Sequence, residues 1–203
     1  MKAERSLEIM RVVWLKHDLR LADHAPLMEA VAHGDDLLLL YVVEPERLDQ
    51  PDESMLHVAW DLANARTLLA RVEALGGTMH IRTGRPEQVL QNLQDTSAIV
   101  SLHSHEETGL QWSWERDKRV MAWCEANDTV WHEHPWNGVV RRLTDRDRWN
   151  SIRNRRMVEP VLEAPARLPS HSNLTCVDET KGVFPCYNDL VKTPLEAGEP
   201  AAH

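Results

Sequence analysis

Glycine is scarce in this 203-residue chain, and none of its eight glycines belongs to a ligand-binding signature. The sequence contains no GxGxxG, GxxxxGK[S/T], GxSxG or HExxH motif. These absences exclude the dinucleotide fingerprint, the P-loop, the esterase nucleophile elbow and the zincin metal site, because each requires its glycines or ligands at fixed spacing. A ligand at the end of a strand must therefore be held by side chains rather than by a glycine-lined phosphate loop.

Cysteine, positive charge and long apolar runs are also in short supply. The three cysteines include no CxxC pair, which excludes a disulfide scaffold and favours a reducing cytoplasm. Residues 1–9 carry mixed charge and do not form a signal peptide, and no run approaches the roughly 18 apolar residues of a membrane helix. The formal charge of −9 argues against nonspecific binding of nucleic acid by the whole chain. We therefore expect a cytoplasmic protein without membrane contact.

Strand and helix patterns do alternate regularly over the first two thirds of the chain. Short apolar, β-favouring runs predict five strands, near residues 12–15, 36–43, 78–83, 98–103 and 129–134. Amphipathic segments between them predict helices near residues 25–33, 53–75, 86–93 and 110–126. This rhythm predicts a doubly wound, five-stranded parallel sheet with helices on both faces, a three-layer α/β/α fold.

The pattern changes after residue 136. Residues 139–157 carry seven arginines against two aspartates, which favours a docking or solvated segment over direct contact with DNA. From Glu159 onward the chain is rich in proline, and no strand or helix of useful length is predicted there. We therefore divide the chain into extra N-terminal residues (1–9), an α/β domain (10–136), an Arg-rich connecting segment (137–165) and an irregular C-terminal linker (166–203).

A dense set of charges follows the first predicted strand. Ligands of open α/β sheets bind at the carboxyl ends of strands, so Lys16, His17 and Arg20 could neutralise an anionic ligand there while Asp18 orients them. The alternative, preferred for Asp18 and Arg20, is a structural ion pair that fastens the loop. Asp23 is the expected N-cap of the following helix.

Two His-x-His pairs lie on the last two predicted strands. His103 shares one strand face with His105, and His132 shares one with His134, because strand side chains alternate. If these strands are neighbours, four imidazoles approach one another near Glu106 or Glu133, as in a zinc site. The alternative is separate strand-end histidines that are hydrogen-bonded or solvated. No metal ligand is assigned, because spacing alone fixes neither register nor supporting contacts.

The stretch WLKHDLRLADHAPL resembles the opening strand of the DNA photolyase and cryptochrome family. LYVVEPE, SHEETG and HEHPWNGVVRRLTDRDRW extend the resemblance over about residues 10–165. The resemblance implies the N-terminal α/β domain of such a protein, with strand order 3-2-1-4-5. In that family this domain holds an antenna pigment, and a separate helical domain holds FAD for light-driven repair of pyrimidine dimers.

The resemblance also implies a set of pigment-binding residues. Glu107 is the best match to an acidic residue of the loop after strand four, whereas His105 stands where several relatives carry Asp. No clear Asn-Glu pair is present, so a reduced folate, a deazaflavin and a flavin all stay open as the pigment. The complete set of candidate pigment contacts is Lys16, His17, Asp18, Glu44, His105, Glu107 and Thr108.

Catalysis is expected to be incomplete in this chain. A deoxyribodipyrimidine photolyase needs its helical FAD domain, and we expect the chain to stop before that domain begins. The expected partners are that domain and, only through it, damaged DNA. An alternative from another class is a stand-alone nucleotide-binding or regulatory domain similar to universal stress proteins, which would bind ATP at the ends of strands one and four. A third alternative is a metal-binding module built on the two His-x-His pairs.

Overall fold

Six parallel strands form one sheet in a computed structural model that describes residues 8–34, 36–136, 138–192 and 195–199. The sheet order is β5-β4-β1-β2-β3-β6. The strands are β1 (Ile9–Leu15), β2 (Leu37–Val43), β3 (Met79–Thr83), β4 (Ala98–His105), β5 (Val130–His134) and β6 (Val177–Asp178). The helices are α1 (Ala25–Ala32), α2 (Pro45–Leu48), α3 (Met55–Ala74), α4 (Pro86–Gln94), α5 (Gln111–Ala126), α6 (Trp149–Met157) and α7 (Tyr187–Leu190). The α/β prediction and the order of its five strands are confirmed.

Helices cover both faces of the sheet. Residues of α1 and α3 pack on one face, in an apolar cluster that includes Val13 and Leu39. Residues of α4 and α5 pack on the other face, in a cluster that includes Val12 and Leu40. All seven residues of β2 are buried, which explains why every position of this central strand is apolar.

The start of α1 differs from the prediction. Asp23 does not cap this helix, because its backbone adopts a positive φ of 50°. His24 is the N-cap instead, and its Nδ1 accepts a hydrogen bond of 3.1 Å from the backbone N–H of Leu27. At the other end, Gly34 follows the helix with a φ of 98°, a left-handed conformation that glycine adopts without strain.

The C-terminal segment contributes a sixth strand, so the five-strand prediction is one strand short. β6 pairs with β3 through Val177 and Asp178, and Arg66 of α3 donates to Asp178 across 3.0 Å. Leu168 is buried against α3 and β3, and its backbone N–H donates to the carbonyl of Leu75. The segment after Glu159 was predicted to be irregular, yet its contacts with the domain order a short strand and helix α7 there.

The Arg-rich segment forms a 3₁₀ turn at Arg146–Arg148 followed by α6, and no residue of α6 is buried. The expected N-terminal extension, residues 1–9, overlaps the start of β1 at Ile9, and its residues 1–7 lie outside the described part of the chain. Among the described residues, no helix combines the length and apolar character that crossing a bilayer demands.

Candidate functional site

A buried ion network occupies the carboxyl ends of β1, β2 and β4. Its centre is Arg116 of α5, which donates to Glu44 across 2.8 Å and also to Glu107. The same guanidinium donates to Asp117 across 3.0 Å, and Lys16 donates to the other oxygen of Asp117 across 2.9 Å. Three predicted pigment residues, Lys16, Glu44 and Glu107, are therefore brought together, but they bind protein partners from α5.

Burial and charge act differently on the two outer carboxylates of this network. Burial raises the pKa of Glu44, and the positive charge of Arg116 only partly offsets that effect. Burial also acts to raise the pKa of Glu107, but the charges of Arg116 and Lys16 outweigh it and lower this pKa. Burial acts to lower the pKa of Arg116, but its three acidic neighbours stabilise the charge and raise this pKa. The guanidinium thus stays charged, and it holds Glu107 as a carboxylate.

Little space is left beside this ion network. The adjoining cavity, lined by Lys16, Glu44, Trp112 and Arg116 among others, encloses only about 10 Å³. Thr108 is exposed, and its backbone N–H donates to Glu107 across 2.9 Å. A pigment cannot enter between Lys16 and Glu44 unless Trp112 or Arg116 moves.

Asp18 anchors the loop after β1. One of its oxygens accepts from the backbone N–H of Lys16, and the other lies 2.5 Å from His105 Nδ1. His24 Nε2 lies 2.9 Å from that second oxygen, although in an orientation without a well-aligned hydrogen bond. Burial acts to raise the pKa of Asp18, but the interactions with the two imidazoles hold it well below its usual value.

The predicted pair of Asp18 with Arg20 does not form. Arg20 instead donates to the carbonyls of Ala22 and Asp23, because the turn at residues 20–23 directs its side chain away from the buried carboxylate. The structural role expected of Asp18 is thus filled by histidines from α1 and β4. His24 carried no signal in the sequence beyond its position near the helix start.

A roomier crevice opens on the other side of the loop after β1. This crevice, which we call the α3 crevice, is lined in part by His17, Asp18, Trp60, Asn64 and Glu199, and it encloses about 490 Å³. The exposed His17 faces it, and Trp60 contributes an aromatic ring from α3. Trp60 was missed in the sequence because an aromatic residue within a long amphipathic helix is usually part of the core.

The far end of the described chain closes one side of the α3 crevice. Glu199 accepts hydrogen bonds from the backbone N–H groups of Leu21 and Ala22, at 3.1 and 2.8 Å. The backbone N–H of Gly198 donates to Asn64 across 2.8 Å.

A second cavity, of about 750 Å³, lies beside β3 and α4 and includes Glu8 and Ser97 from the amino-terminal side of the sheet. Its position is not that of ligand sites in open α/β sheets.

The two His-x-His pairs are neighbours, as strand order predicted. His103 is paired in register with His132, and His105 with His134. The nearby carboxylate is Glu29 of α1, rather than Glu106 or Glu133. Glu133 lies between His132 and His134, and Glu106 directly follows His105. Because successive residues of a strand face opposite sides of the sheet, these two glutamates point away from the histidines.

Comparison with known proteins decides the family. A family model described as DNA photolyase matches residues 11–145, more than half of the chain. The chain belongs to the DNA photolyase family. This membership confirms the resemblance of the opening strand, and it disfavours a stand-alone domain similar to universal stress proteins.

Two relatives illustrate the extent of the similarity. The chain is 35% identical over 112 residues to a deoxyribodipyrimidine photo-lyase of Thermus thermophilus, a match that covers 54% of this chain and 25% of that protein. It is 25% identical over 174 residues to the cryptochrome DASH of Gloeobacter violaceus, covering 78% of this chain and 35% of the relative. The photolyase-family chain thus spans well under half the length of these relatives.

Solved structures of the family share the fold. The class III photolyase of Agrobacterium tumefaciens superposes with a TM-score of 0.73 at 17% identity, covering 95% of this chain and 42% of that chain. The cryptochrome of Synechocystis superposes with a TM-score of 0.72 at 18% identity, covering 88% and 41%. At such identity the likeness establishes the architecture alone.

Proposed function

We propose that this chain is the N-terminal, antenna-pigment-binding domain of a photolyase or cryptochrome, and that the pigment lies in the α3 crevice. The observation that carries the proposal is the position of this crevice at the carboxyl end of β1, where ligands of open α/β sheets bind. Its volume of about 490 Å³ lies within the range of small-molecule sites, about 300–1,000 Å³. Of the predicted contacts, His17 and Asp18 line it, whereas Lys16, Glu44 and Glu107 support the neighbouring loops.

The lining of the α3 crevice suits a flat, partly polar ring system. Trp60 offers an indole ring, which also packs on Tyr187 at a centroid distance of 4.8 Å, and His17 offers an imidazole at the rim. A reduced folate, a deazaflavin and a flavin all have such a ring. The solved archaeal photolyase of Sulfolobus tokodaii, which shares this fold at a TM-score of 0.63, contains two FAD molecules and is described as implying a novel light-harvesting cofactor. A flavin is accordingly one of the three pigments to test.

We further infer that DNA repair would need a helical FAD domain in addition to this chain. A light-driven electron donor requires a flavin enclosed away from water and a pocket for a flipped-out dimer. Catalysis and contact with damaged DNA are therefore assigned to that partner domain, against which the exposed, Arg-rich α6 is available for docking.

Titration of the purified chain with each pigment tests the proposal. We expect one of the three, a reduced folate, a deazaflavin or FMN, to bind with a shift of its absorbance or fluorescence. Trp60→Ala should weaken that binding about fivefold, because stacking against an indole contributes about 1 kcal/mol.

Trp149→Ala is the matched control, since this tryptophan is 41% exposed on α6 and lies outside the α3 crevice. It should leave the affinity unchanged. The proposal is wrong if none of the three pigments binds, or if Trp60→Ala and Trp149→Ala have the same effect.

A further inference from the structure

Three imidazoles converge on one carboxylate where α1 crosses β4 and β5. His134 Nε2 lies 2.6 Å from Glu29 Oε2, and His103 Nδ1 lies 3.3 Å from the same oxygen. His132 Nδ1 lies 3.2 Å from the other oxygen, Oε1. We refer to Glu29, His103, His132 and His134 as the His₃Glu cluster.

The spacing of these atoms is close to that of a metal coordination shell. Ligand atoms of Glu29, His103 and His134 all lie within 4.8 Å of one another. Two ligands that are each about 2.0–2.2 Å from a tetrahedral zinc ion are separated by about 3.3–3.6 Å. Glu29 Oε2 and His134 Nε2, now 2.6 Å apart, would therefore have to separate by about 0.7–1.0 Å to admit an ion between them.

The protonation state of the cluster also suits a metal. His103 and His132 are stacked with their ring centroids 4.6 Å apart, an arrangement that disfavours two charged rings. Neutral imidazole and ionised carboxylate are the forms that bind zinc.

Supporting contacts orient the most buried ligand. His103 Nε2 lies 3.0 Å from the hydroxyl of Ser101, which leaves Nδ1 directed at Glu29. Such a second contact fixes the ring of a metal-binding histidine. The opposite side is accessible, since the side chains of Glu29 and His132 are about one third exposed. An ion can therefore enter from solvent while His103 stays fixed.

We propose that the His₃Glu cluster is a binding site for a zinc ion, with Glu29, His103 and His134 as ligands and His132 within reach of the fourth position. The ion would join α1 to the β4–β5 edge of the sheet. Borderline divalent ions suit this ligand set, because imidazole nitrogen favours zinc over magnesium or calcium. The site is separate from the α3 crevice, so its presence does not depend on pigment binding.

Zinc titration of chelator-treated, metal-free chain tests the proposal. We expect one zinc ion per chain, measured by competition with a chromophoric chelator and by elemental analysis after dialysis. Cobalt(II) in place of zinc should give the intense visible absorption of a four-coordinate site. Glu29→Gln and His134→Gln should each weaken zinc binding at least tenfold and remove the cobalt spectrum.

The controls separate this site from other histidine–carboxylate contacts. His57→Gln removes an exposed histidine that lies 3.6 Å from Glu53, and it should leave one zinc ion bound. Circular dichroism and thermal unfolding without metal would show that the Gln variants are folded. The proposal is overturned if no zinc binds, or if the folded Glu29 and His134 variants bind zinc as the unaltered chain does. It is also overturned if Asp18→Asn, in the neighbouring cluster with His24 and His105, abolishes binding while Glu29→Gln does not.

Discussion

Arg116 of α5 reaches across the carboxyl edge of the sheet and donates to Glu44, the residue directly after β2, over 2.8 Å. Both side chains are more than 90% buried. The contact joins two elements that are 72 residues apart in sequence. Three residues expected to contact a ligand are instead held by this one guanidinium, either directly or through Asp117.

Replacement of Arg116 should therefore be costly. Arg116→Met leaves the carboxylates of Glu44, Glu107 and Asp117 without their shared cation, and we expect the free energy of unfolding to fall by about 3–5 kcal/mol. Arg119→Met, three residues further along α5, removes a guanidinium that is one third exposed and pairs with Glu46 and Glu87. Its cost should stay below about 1 kcal/mol, because exposed ion pairs are weak. Urea unfolding measures both, and equal losses would contradict the role assigned to Arg116.

His80 should make the fold sensitive to mild acid. Burial and the nearby charge of Arg82 lower its folded pKa to about 4. In the unfolded chain the pKa of His80 is about 6.5, so this side chain takes up a proton at a higher pH when unfolded than when folded. The contribution of neutral His80 to the free energy of unfolding is therefore present at neutral pH and is lost as the pH falls from about 6.5 toward 4.

His80→Gln removes this titration while keeping a donor for the carbonyl of Thr175, which His80 Nε2 contacts at 2.9 Å. When the pH falls from 7 to 5, the free energy of unfolding should decrease by about 1–2 kcal/mol less in the variant than in the unaltered chain. Urea unfolding at several pH values measures the difference. His57→Gln, at an exposed position on α3, provides the control substitution. A profile that is the same for all three proteins would contradict the prediction.

Leu168 should fix the C-terminal segment to the domain. It is 1% exposed, and a side chain on Gly77 would come within 2.8 Å of its Cβ. Leu168→Ala should cost about 2–4 kcal/mol through the cavity it leaves. It should also make the segment after residue 159 more sensitive to limited proteolysis. Leu162→Ala, at a position 37% exposed, should cost less than about 1 kcal/mol. If Leu168→Ala is no worse than Leu162→Ala, the segment is not held by this contact.

The central strands were predictable because their patterns are local. The run Leu37–Val43 is apolar throughout and is buried throughout, so composition alone identifies it. β6 carries no such signal. It is two residues long, and it exists because β3 offers unpaired backbone groups and Arg66 binds Asp178.

The sites were predictable only where their residues follow a strand. Lys16, Asp18 and Glu107 do so, and the sequence placed them correctly at the carboxyl ends of β1 and β4, whereas their role as pigment contacts stays a prediction. Arg116 lies in the middle of a charged helix, where a solvated side chain is the usual outcome. Glu29 is 74 residues from His103 and 105 residues from His134 in sequence, so no local sequence pattern predicts that they are in contact. Burial of charge by long-range contacts is a property of the folded chain rather than of any segment.

The short pairing of β6 with β3 also has a consequence for solubility. An exposed edge strand presents unpaired N–H and C=O groups that can recruit other chains into a growing sheet. Val177 and Asp178 occupy that position beside β3, and the charges of Arg82 and Glu179 flank it. Two residues of a proline-rich segment thereby protect one border of the sheet from intermolecular strand addition.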